Sequence, residues 1–260
     1  MTLQMPRTVA LVLEYDGTRY AGFQLQARAL TIQRELELAI ARLTLEETRV
    51  HGAGRTDQGV HAQGQVVMFS TSSALPCTAL VSGLNHFLPD DVAVQAAYDV
   101  APTFDPRRHA LSRVYQYTIL NRAVSSPLIE RYAYRVGAPL DDEAMAVSLR
   151  LLIGRHDFAS LSGRVPDGTS TVRNIYATRL WREDEMVRFE VEANAFLPHQ
   201  MRRIAGLLVA VGTGRLSPDG VCGILDGRSD LRAKEKLATA PSHGLCLMQV
   251  KYEDFPPYAY

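Results

Sequence analysis

The stretch TVRNIYATRLWREDEMVRFEVEAN, residues 171–194, decides the fold class of this chain. Its second part alternates strictly, with apolar residues at the odd positions from 187 to 193 and polar residues between them. Such alternation is typical of an antiparallel strand with one buried and one solvated face. The acidic run Glu183-Asp184-Glu185 stands where a tight turn would lie. We therefore predict an antiparallel hairpin with strands at 171–182 and 186–194.

Further strands and helices surround this hairpin in the second half of the chain. Asp141 stands before a helical pattern and is a residue type that caps helix N-termini, so we predict a helix from there to residue 153, which Gly154 ends. The other elements predicted in this half are strands at 113–120 and 245–252 and helices at 200–211 and 221–225.

The first half of the chain reads as strand, helix, strand, helix, strand. An apolar run at 9–15 predicts the first strand, and Thr31 caps a helix whose apolar residues share one face. Strands at 65–70 and 92–98 flank a helix at 77–88. Two prolines within 101–106 break regular structure between the halves, so we predict domains at 1–104 and 105–260. The predicted fold class is α+β, with two loosely similar halves.

Composition restricts the class of protein and its compartment. The chain is 47% hydrophobic, but no apolar run is long enough to span a membrane, and the N-terminus lacks the features of a signal peptide. We expect a cytoplasmic protein without a membrane partner. The three cysteines are odd in number and widely spaced, which indicates neither a disulfide framework nor a zinc site. We expect them to be buried small hydrophobic residues.

The positive charges are clustered although the net charge is zero. Arg107-Arg108-His109, with Arg113 nearby, forms one cluster, and Arg202-Arg203 forms another. Arginine pairs with phosphates through two hydrogen bonds and stacks on bases. A neutral protein can therefore still have a basic cleft that binds nucleic acid.

The loop GRTDQGVHA, residues 54–62, holds one carboxylate among glycines, an arginine and a histidine. Its glycines allow sharp bends and a close approach to a ligand, so the loop can present Asp57 to a substrate. The residues expected to shape the loop are Gly54, Thr56, Gly59 and His61. The loop lacks the third glycine of a dinucleotide fingerprint and the Gly-Lys-Ser/Thr of a P-loop. The residues of the loop alone are consistent with an ordinary turn and with an active site.

The same loop resembles the GRTD-x-GVHA signature of the tRNA pseudouridine synthase A family. Six further segments are similar to this family in order and spacing, and together they cover essentially the whole chain. They are YDGTRYAGFQLQ (15–26), LNHFLPDDV (84–92), FDPRRHALSRVYQY (104–117), GRHDFASL (154–161), NAFLPHQMRRIAG (194–206) and APSHGLCL (240–247).

The resemblance implies a specific fold and activity. The fold would be two ferredoxin-like (RRM-like) halves whose antiparallel sheets join around a basic central cleft. The protein would be a homodimer that needs no cofactor or metal and isomerises uridine to pseudouridine at positions 38, 39 and 40 of tRNA. Asp57 would be the essential aspartate, and Tyr115 would be the active-site tyrosine.

The chemistry of this reaction breaks the bond from C1′ to N1, turns the base and joins C1′ to C5. Asp57 could attack C1′, abstract the 2′ proton or add to C6 of the base, and the sequence leaves all three routes open. Each route needs an ionised carboxylate, for which Arg202 is the predicted partner. The segment departs from the form FLHHMVRNI of the family, so Arg203 remains the other candidate, although it would lie about 100° further around a helix.

The remaining site residues would bind the RNA. Tyr115 could stack on the target uracil and relay the C5 proton. Because the target base must leave the stack, Arg55 could fill the gap or bind a phosphate. The residues expected to contact phosphates are Arg107, Arg108, Arg113 and Arg203, which would make binding sensitive to salt.

Two other functions fit parts of the pattern. A non-catalytic RNA-binding protein of ferredoxin-like fold would leave Asp57 dispensable. A metal-dependent nucleotide hydrolase or transferase would need a second carboxylate near the loop. The nearest acids in the sequence, Glu46 and Glu47, belong to a charged run typical of a solvated surface.

Overall fold

The computed structural model describes residues 6–226 and 238–253. Within them the chain forms two compact units, one of residues 6–111 with 247–253 and one of residues 112–226 with 238–246. Both units combine α-helices with antiparallel strands, as the predicted α+β class requires.

Ten strands and five α-helices lie in the described part of the chain. The strands are β1 (Arg7–Tyr15), β2 (His51–Gly52), β3 (His61–Thr71), β4 (Val92–Val100), β5 (Ser112–Leu120), β6 (Tyr134–Arg135), β7 (Gly154–Asp157), β8 (Val172–Glu183), β9 (Met186–Ala193) and β10 (Leu245–Lys251). The helices are α1 (Ile32–Thr44), α2 (Cys77–Phe87), α3 (Asp142–Arg150), α4 (Gln200–Gly212) and α5 (Pro218–Leu225). Every strand and helix predicted from the sequence is present, whereas the short strands β2, β6 and β7 were not predicted.

The first unit contains β1 to β4 and most of β10, and the strand order is β4-β1-β3-β10, with β2 on β3. Strand β1 lies between β3 and β4 and is antiparallel to both. Its residues 9–13 are almost completely buried, which explains why this run is continuously apolar rather than alternating. Helix α1 begins as predicted, because the Thr31 side chain accepts a hydrogen bond from the backbone N–H of Arg34.

The second unit contains the predicted hairpin, with strands in the order β5-β9-β8-β7 and β6 beside β5. The four apolar side chains of β9, at 187, 189, 191 and 193, are completely buried. The turn of the hairpin places Asp184 in the left-handed region with a φ of 52°. Asp141 caps α3 through its carboxylate, which accepts a hydrogen bond from Ala144 N–H at 2.9 Å. Local patterns in the sequence therefore predicted the hairpin and the start of α3 correctly.

The prediction that the cysteines are buried is wrong. Cys222 is exposed, and Cys77 and Cys246 are half-buried. Cys222 lies on the short helix α5, which buries its neighbour Val221 instead, and Cys77 is the first residue of α2, where its Sγ lies 3.6 Å from an Asp99 carboxylate oxygen. Positions at a helix start or on its solvent side are set by packing, which the residue type does not reveal.

None of the helices in the described residues is long and apolar enough to cross a membrane.

Candidate functional site

The loop that carries Asp57 runs from β2 to β3 in the first unit and packs against residues 17–23. Phe23 N–H donates to the Thr56 carbonyl at 3.1 Å, and Gly59 N–H donates to the Tyr20 carbonyl at 3.3 Å. Within the loop, Val60 N–H donates to the carbonyl of Asp57 itself at 3.1 Å. Backbone hydrogen bonds thus hold the loop on both sides of Asp57.

Two glycines outside the loop allow this close packing. A Cβ on Gly17 would lie 2.0 Å from the Val60 carbonyl oxygen, and a Cβ on Gly22 would lie 2.7 Å from the Thr56 carbonyl oxygen. Gly22 also has a φ of 101°, which residues with a side chain rarely adopt. Only residues without a Cβ fit at these two points, which were not among the predicted site residues.

The glycines inside the loop differ from one another. Gly59 has a φ of 74°, so its predicted role in shaping the loop has a structural basis. Gly54 has no left-handed φ, and a Cβ built on it would meet nothing within 4 Å. Within the described residues no protein atom requires glycine at position 54, so its role in shaping the loop stays a prediction.

Three side chains from the flanking strands complete the support of the loop. The Tyr15 hydroxyl and Thr56 Oγ1 lie 2.9 Å apart, and both side chains are buried. Gln65 Nε2 donates to the Gly54 carbonyl at 3.0 Å. Gly17 N–H lies 3.1 Å from His61 Nδ1, and an Asp16 carboxylate oxygen lies 3.2 Å from the same nitrogen. Thr56 and His61 were predicted to shape the loop, whereas Tyr15 and Gln65 were missed.

The segment that packs on the loop is itself held by a charged cluster. Asp91 accepts hydrogen bonds from the Tyr20 hydroxyl and from Arg19 Nε, both at 2.6 Å. Burial by itself would raise the pKa of the Asp91 carboxyl, but these two donors outweigh it and the pKa lies below its usual value. Burial and the same hydrogen bond raise the pKa of the Tyr20 phenol. The ionised carboxylate therefore fixes Tyr20, whose carbonyl receives the Gly59 N–H.

The charged residues of the first unit differ in exposure. Asp57 is half-buried, and Arg55, two residues before it, is exposed. Arg107 and Arg108 are exposed on a turn that Asp105 closes, since one Asp105 oxygen accepts both of their backbone N–H groups at 2.8 and 2.9 Å. These guanidinium groups are accessible to a phosphate.

Strand β5 places the predicted tyrosine in the second unit. Tyr115 has 9% of its surface exposed and packs edge-on against Phe196, with ring centroids 5.0 Å apart. Tyr117 lies on the same face, is completely buried and donates from its hydroxyl to the Pro241 carbonyl at 2.7 Å. Of the two tyrosines, only Tyr115 retains any access to a substrate.

Arg113, on the same strand, is also buried. It is 9% exposed, and its Nη1 donates to the Asn194 carbonyl at 2.8 Å. This position offers less surface to a phosphate than the turn of Arg107 and Arg108 does.

Helix α4 carries the two candidate arginines. Arg202 Nε donates to the Ala240 carbonyl at 2.9 Å, and Arg202 Nη1 lies 3.3 Å from His199 Nδ1. The Ala240 N–H returns a hydrogen bond to the Arg202 carbonyl at 3.0 Å. Gly206 permits this approach, because a Cβ there would lie 1.8 Å from the Ala238 carbonyl oxygen. The segment at 238–240 thereby fixes Arg202.

Arg203 has a different environment. Its Nε is buried and has no hydrogen-bond partner among the described residues. Arg202, by contrast, lies close to Tyr117. Burial raises the pKa of the Tyr117 phenol, and the positive charge of Arg202 opposes this rise. The second unit thus brings parts of three motif segments, at 113–117, 194–206 and 240–246, together near Arg202.

Sequence reasoning missed the side chains that support the Asp57 loop. Tyr15 ends an apolar strand, and Gln65 is a polar residue that is completely buried in β3. A polar residue inside an apolar strand is the one signal that could have indicated Gln65, because a buried amide needs hydrogen-bond partners. Nothing local indicated Tyr15.

A family model and similar curated proteins indicate the same family. A family model described as tRNA pseudouridine synthase matches residues 11–107 and 149–253. A protein named tRNA pseudouridine synthase A from Pelobacter propionicus is 43% identical over 246 residues, which are 95% of this chain and 100% of that protein. A protein of the same name from Myxococcus xanthus is 44% identical over 254 residues, which are 97% of this chain and 94% of that protein.

Solved structures are less similar. The crystal structure of a Cbf5-Nop10-Gar1 complex aligns with 77% of this chain and 45% of that chain, at 14% identity and a TM-score of 0.34. Similarity at this level carries no conclusion about this chain.

Proposed function

Because this chain belongs to the family of tRNA pseudouridine synthases, we propose that it converts uridine to pseudouridine in the anticodon stem-loop of tRNA, at positions 38, 39 and 40. The reaction is an isomerisation in which the C1′–N1 bond breaks, the uracil turns and C1′ joins C5. Since no atom is gained or lost, one carboxylate and a path for the C5 proton can carry the reaction without a cofactor.

The observation that carries this proposal is the rigid support of the loop around Asp57. Backbone hydrogen bonds hold it on both sides, and the side chains of Tyr15, His61 and Gln65 fix it from the strands. A catalytic group needs to be held in the productive geometry before the substrate arrives, since reorganisation during the reaction raises the barrier. An ordinary surface turn does not need such support.

Asp57 would act on the ribose or on the base. As a nucleophile, its carboxylate would attack C1′ while the N1 bond breaks, and the ester would be released when C5 attacks C1′. As a base, it would remove the 2′ proton to give a glycal, and as a nucleophile on the base it would add to C6. All three routes begin with the ionised carboxylate.

Tyr115 and Arg202 are the proposed partners of Asp57. Tyr115 would stack on the uracil and receive or relay the C5 proton, which its partial exposure allows. Arg202 would stabilise the carboxylate, and its fixed position on α4 supports this role over Arg203. In this proposal the predicted domains at 1–104 and 105–260 are two ferredoxin-like halves with a basic central cleft.

The tRNA would be bound mainly through phosphates. Arg55, Arg107 and Arg108 are exposed arginines of the first unit, and Arg113 and Arg203 are further candidates in the second. We also propose that the protein acts in the cytoplasm as a homodimer. Sedimentation at micromolar concentration tests the dimer, and a monomer that modifies tRNA at the normal rate would refute it.

The deciding experiment measures tritium release from 5-tritiated uridine in a tRNA transcript, comparing the wild type with Asp57→Asn. We expect release to fall by at least about 100-fold while tRNA binding is retained, because asparagine keeps the shape but not the charge. Asp184→Asn is the matched control, since this exposed turn residue has a left-handed φ of 52° that asparagine tolerates.

The outcomes separate the possible functions. Full release by Asp57→Asn would overturn the catalytic role of Asp57. Binding of tRNA without any release by the wild type would favour a non-catalytic RNA-binding protein. Transcripts with single uridines replaced at positions 38, 39 and 40 identify the target positions.

A further inference from the structure

No contact or backbone angle in the described part of the chain explains the glycine at position 54. Among the glycines in or next to the Asp57 loop, Gly17 and Gly22 are required by close backbone contacts, and Gly59 by its left-handed φ. Gly54 shares neither property, since its φ is ordinary and a Cβ on it would meet nothing within 4 Å. Alanine would fit there and would restrict the unfolded chain more than glycine does.

Position 54 is held in place, not left loose. The completely buried Gln65 donates from Nε2 to the Gly54 carbonyl at 3.0 Å, and the neighbouring Ala53 N–H donates to the Val66 carbonyl at 2.8 Å. A flexible hinge would explain a glycine, but these bonds to strand β3 oppose such a hinge. Gly54 is therefore a fixed backbone position with open space on its Cα.

The residues that follow Gly54 indicate what fills this space. Arg55 is exposed, and no hydrogen bond or ion pair of its side chain occurs within residues 6–226 and 238–253. Asp57 lies two residues further on. A glycine that no contact within the described residues requires, beside an exposed cation and the proposed catalytic carboxylate, fits a point where a ligand comes into van der Waals contact with the backbone.

We infer that Gly54 is a substrate-contact position, where the ribose-phosphate backbone of the RNA packs directly against the main chain. This inference rests on the proposed function, since it assigns the RNA to the same site. A single methyl group at position 54 occupies the volume of the RNA, so it weakens binding without affecting the protein. Arg55 binds the phosphate of the same nucleotide or of its neighbour.

The test compares Gly54→Ala with a matched control, Gly223→Ala. Gly223 lies on α5, and a Cβ on it would also meet nothing within 4 Å and needs no unusual φ. We expect Gly54→Ala to raise the Kd for a tRNA transcript and the KM about tenfold, the loss that one methyl forced into a filled contact causes. Its melting temperature stays within a degree or two of the wild type, and Gly223→Ala binds as the wild type does.

Two outcomes would overturn the inference. A Gly54→Ala variant with unchanged Kd and KM shows that no substrate fills the space, and a variant that unfolds shows that the protein needs the glycine after all. The KM comparison requires turnover, whereas the Kd comparison does not. A wild type that binds tRNA but releases no tritium refutes the proposed function and still allows the Gly54 test.

Discussion

Two loops of the first unit each carry one aspartate, and they are built in different ways. The loop of Asp57 is held by Tyr15 and Tyr20, which lie about forty residues before it, and by Gln65 of the following strand. The turn of Asp105 closes on itself, because the Asp105 carboxylate accepts the N–H groups of Arg107 and Arg108. The difference teaches how each aspartate is used. The Asp105 carboxylate stabilises its own turn. The Asp57 loop is held rigid by other groups, so its carboxylate is not needed to close the loop.

Replacing Gly17 with alanine should have the largest effect on the support of the Asp57 loop. The new Cβ would lie 2.0 Å from the Val60 carbonyl oxygen, so either residues 17–23 or the Asp57 loop must move. We expect a loss of about 3 kcal/mol in the free energy of unfolding, at the upper end for overpacking, together with loss of activity. Urea unfolding measures the first effect and tritium release the second. Wild-type stability would show that the loop yields easily and is not rigid.

Thr56→Val removes the hydrogen bond between Thr56 Oγ1 and the Tyr15 hydroxyl and keeps the shape of the side chain. We expect a loss of about 1 to 2 kcal/mol, because the bond is buried. If the bond positions Asp57, kcat falls several-fold more than KM changes, and Thr56→Ser restores it. A variant with lower stability and normal kcat would assign the bond to folding alone.

Changes on the exposed turn affect binding and leave stability almost unchanged. Arg108 has 85% of its side chain exposed, so Arg108→Ala removes a charge without removing packing. We expect the slope of log Kd against log salt concentration to fall by about one, and tRNA affinity to fall similarly for all sequences. Filter binding at several salt concentrations measures the slope. An unchanged slope would remove Arg108 from the phosphate contacts.

Asp105→Asn has the smallest expected effect. Burial alone would raise the pKa of the Asp105 carboxyl, but the N–H groups of Arg108 and Arg107 outweigh it and lower that pKa. The carboxylate therefore contributes stability above its unfolded pKa of about 3.9, and this contribution is lost as the pH falls through the folded pKa. At neutral pH asparagine replaces the acceptor at a cost below about 0.5 kcal/mol. Thermal unfolding between neutral pH and pH 3 checks this, since the variant should lose less stability than the wild type. If the variant and the wild type lose the same stability on acidification, the Asp105 carboxylate does not contribute to the pH dependence of folding.

Local patterns predicted most of the fold. The alternation in β9 and the capping residues Thr31 and Asp141 gave the hairpin and the starts of two helices. These signals lie within a few residues of one another, so the chain carries them without tertiary contacts. The start of β3 at His61, four residues before the predicted one, was missed because the strand continues into the glycine-rich motif.

The candidate site was predicted less completely. Position on a loop indicated Asp57, and exposure of Arg55, Arg107 and Arg108 agrees with their charge. The burial of Arg113 was not predicted, since its hydrogen bond to Asn194 depends on the pairing of β5 with β9. A cluster of arginines in sequence does not reveal which of them faces solvent.

The sequence by itself determined the longer strands, the α-helices and the loop that holds Asp57, because periodicity, caps and turn residues act over short distances. Only the tertiary structure decided which glycines the loop needs. Gly17 and Gly22 are required by carbonyl oxygens about forty residues further along the chain, at Val60 and Thr56. No atom of residues 6–226 and 238–253 requires glycine at position 54. Whether a Cβ fits depends on atoms brought close by strand pairing, and no local pattern encodes that distance.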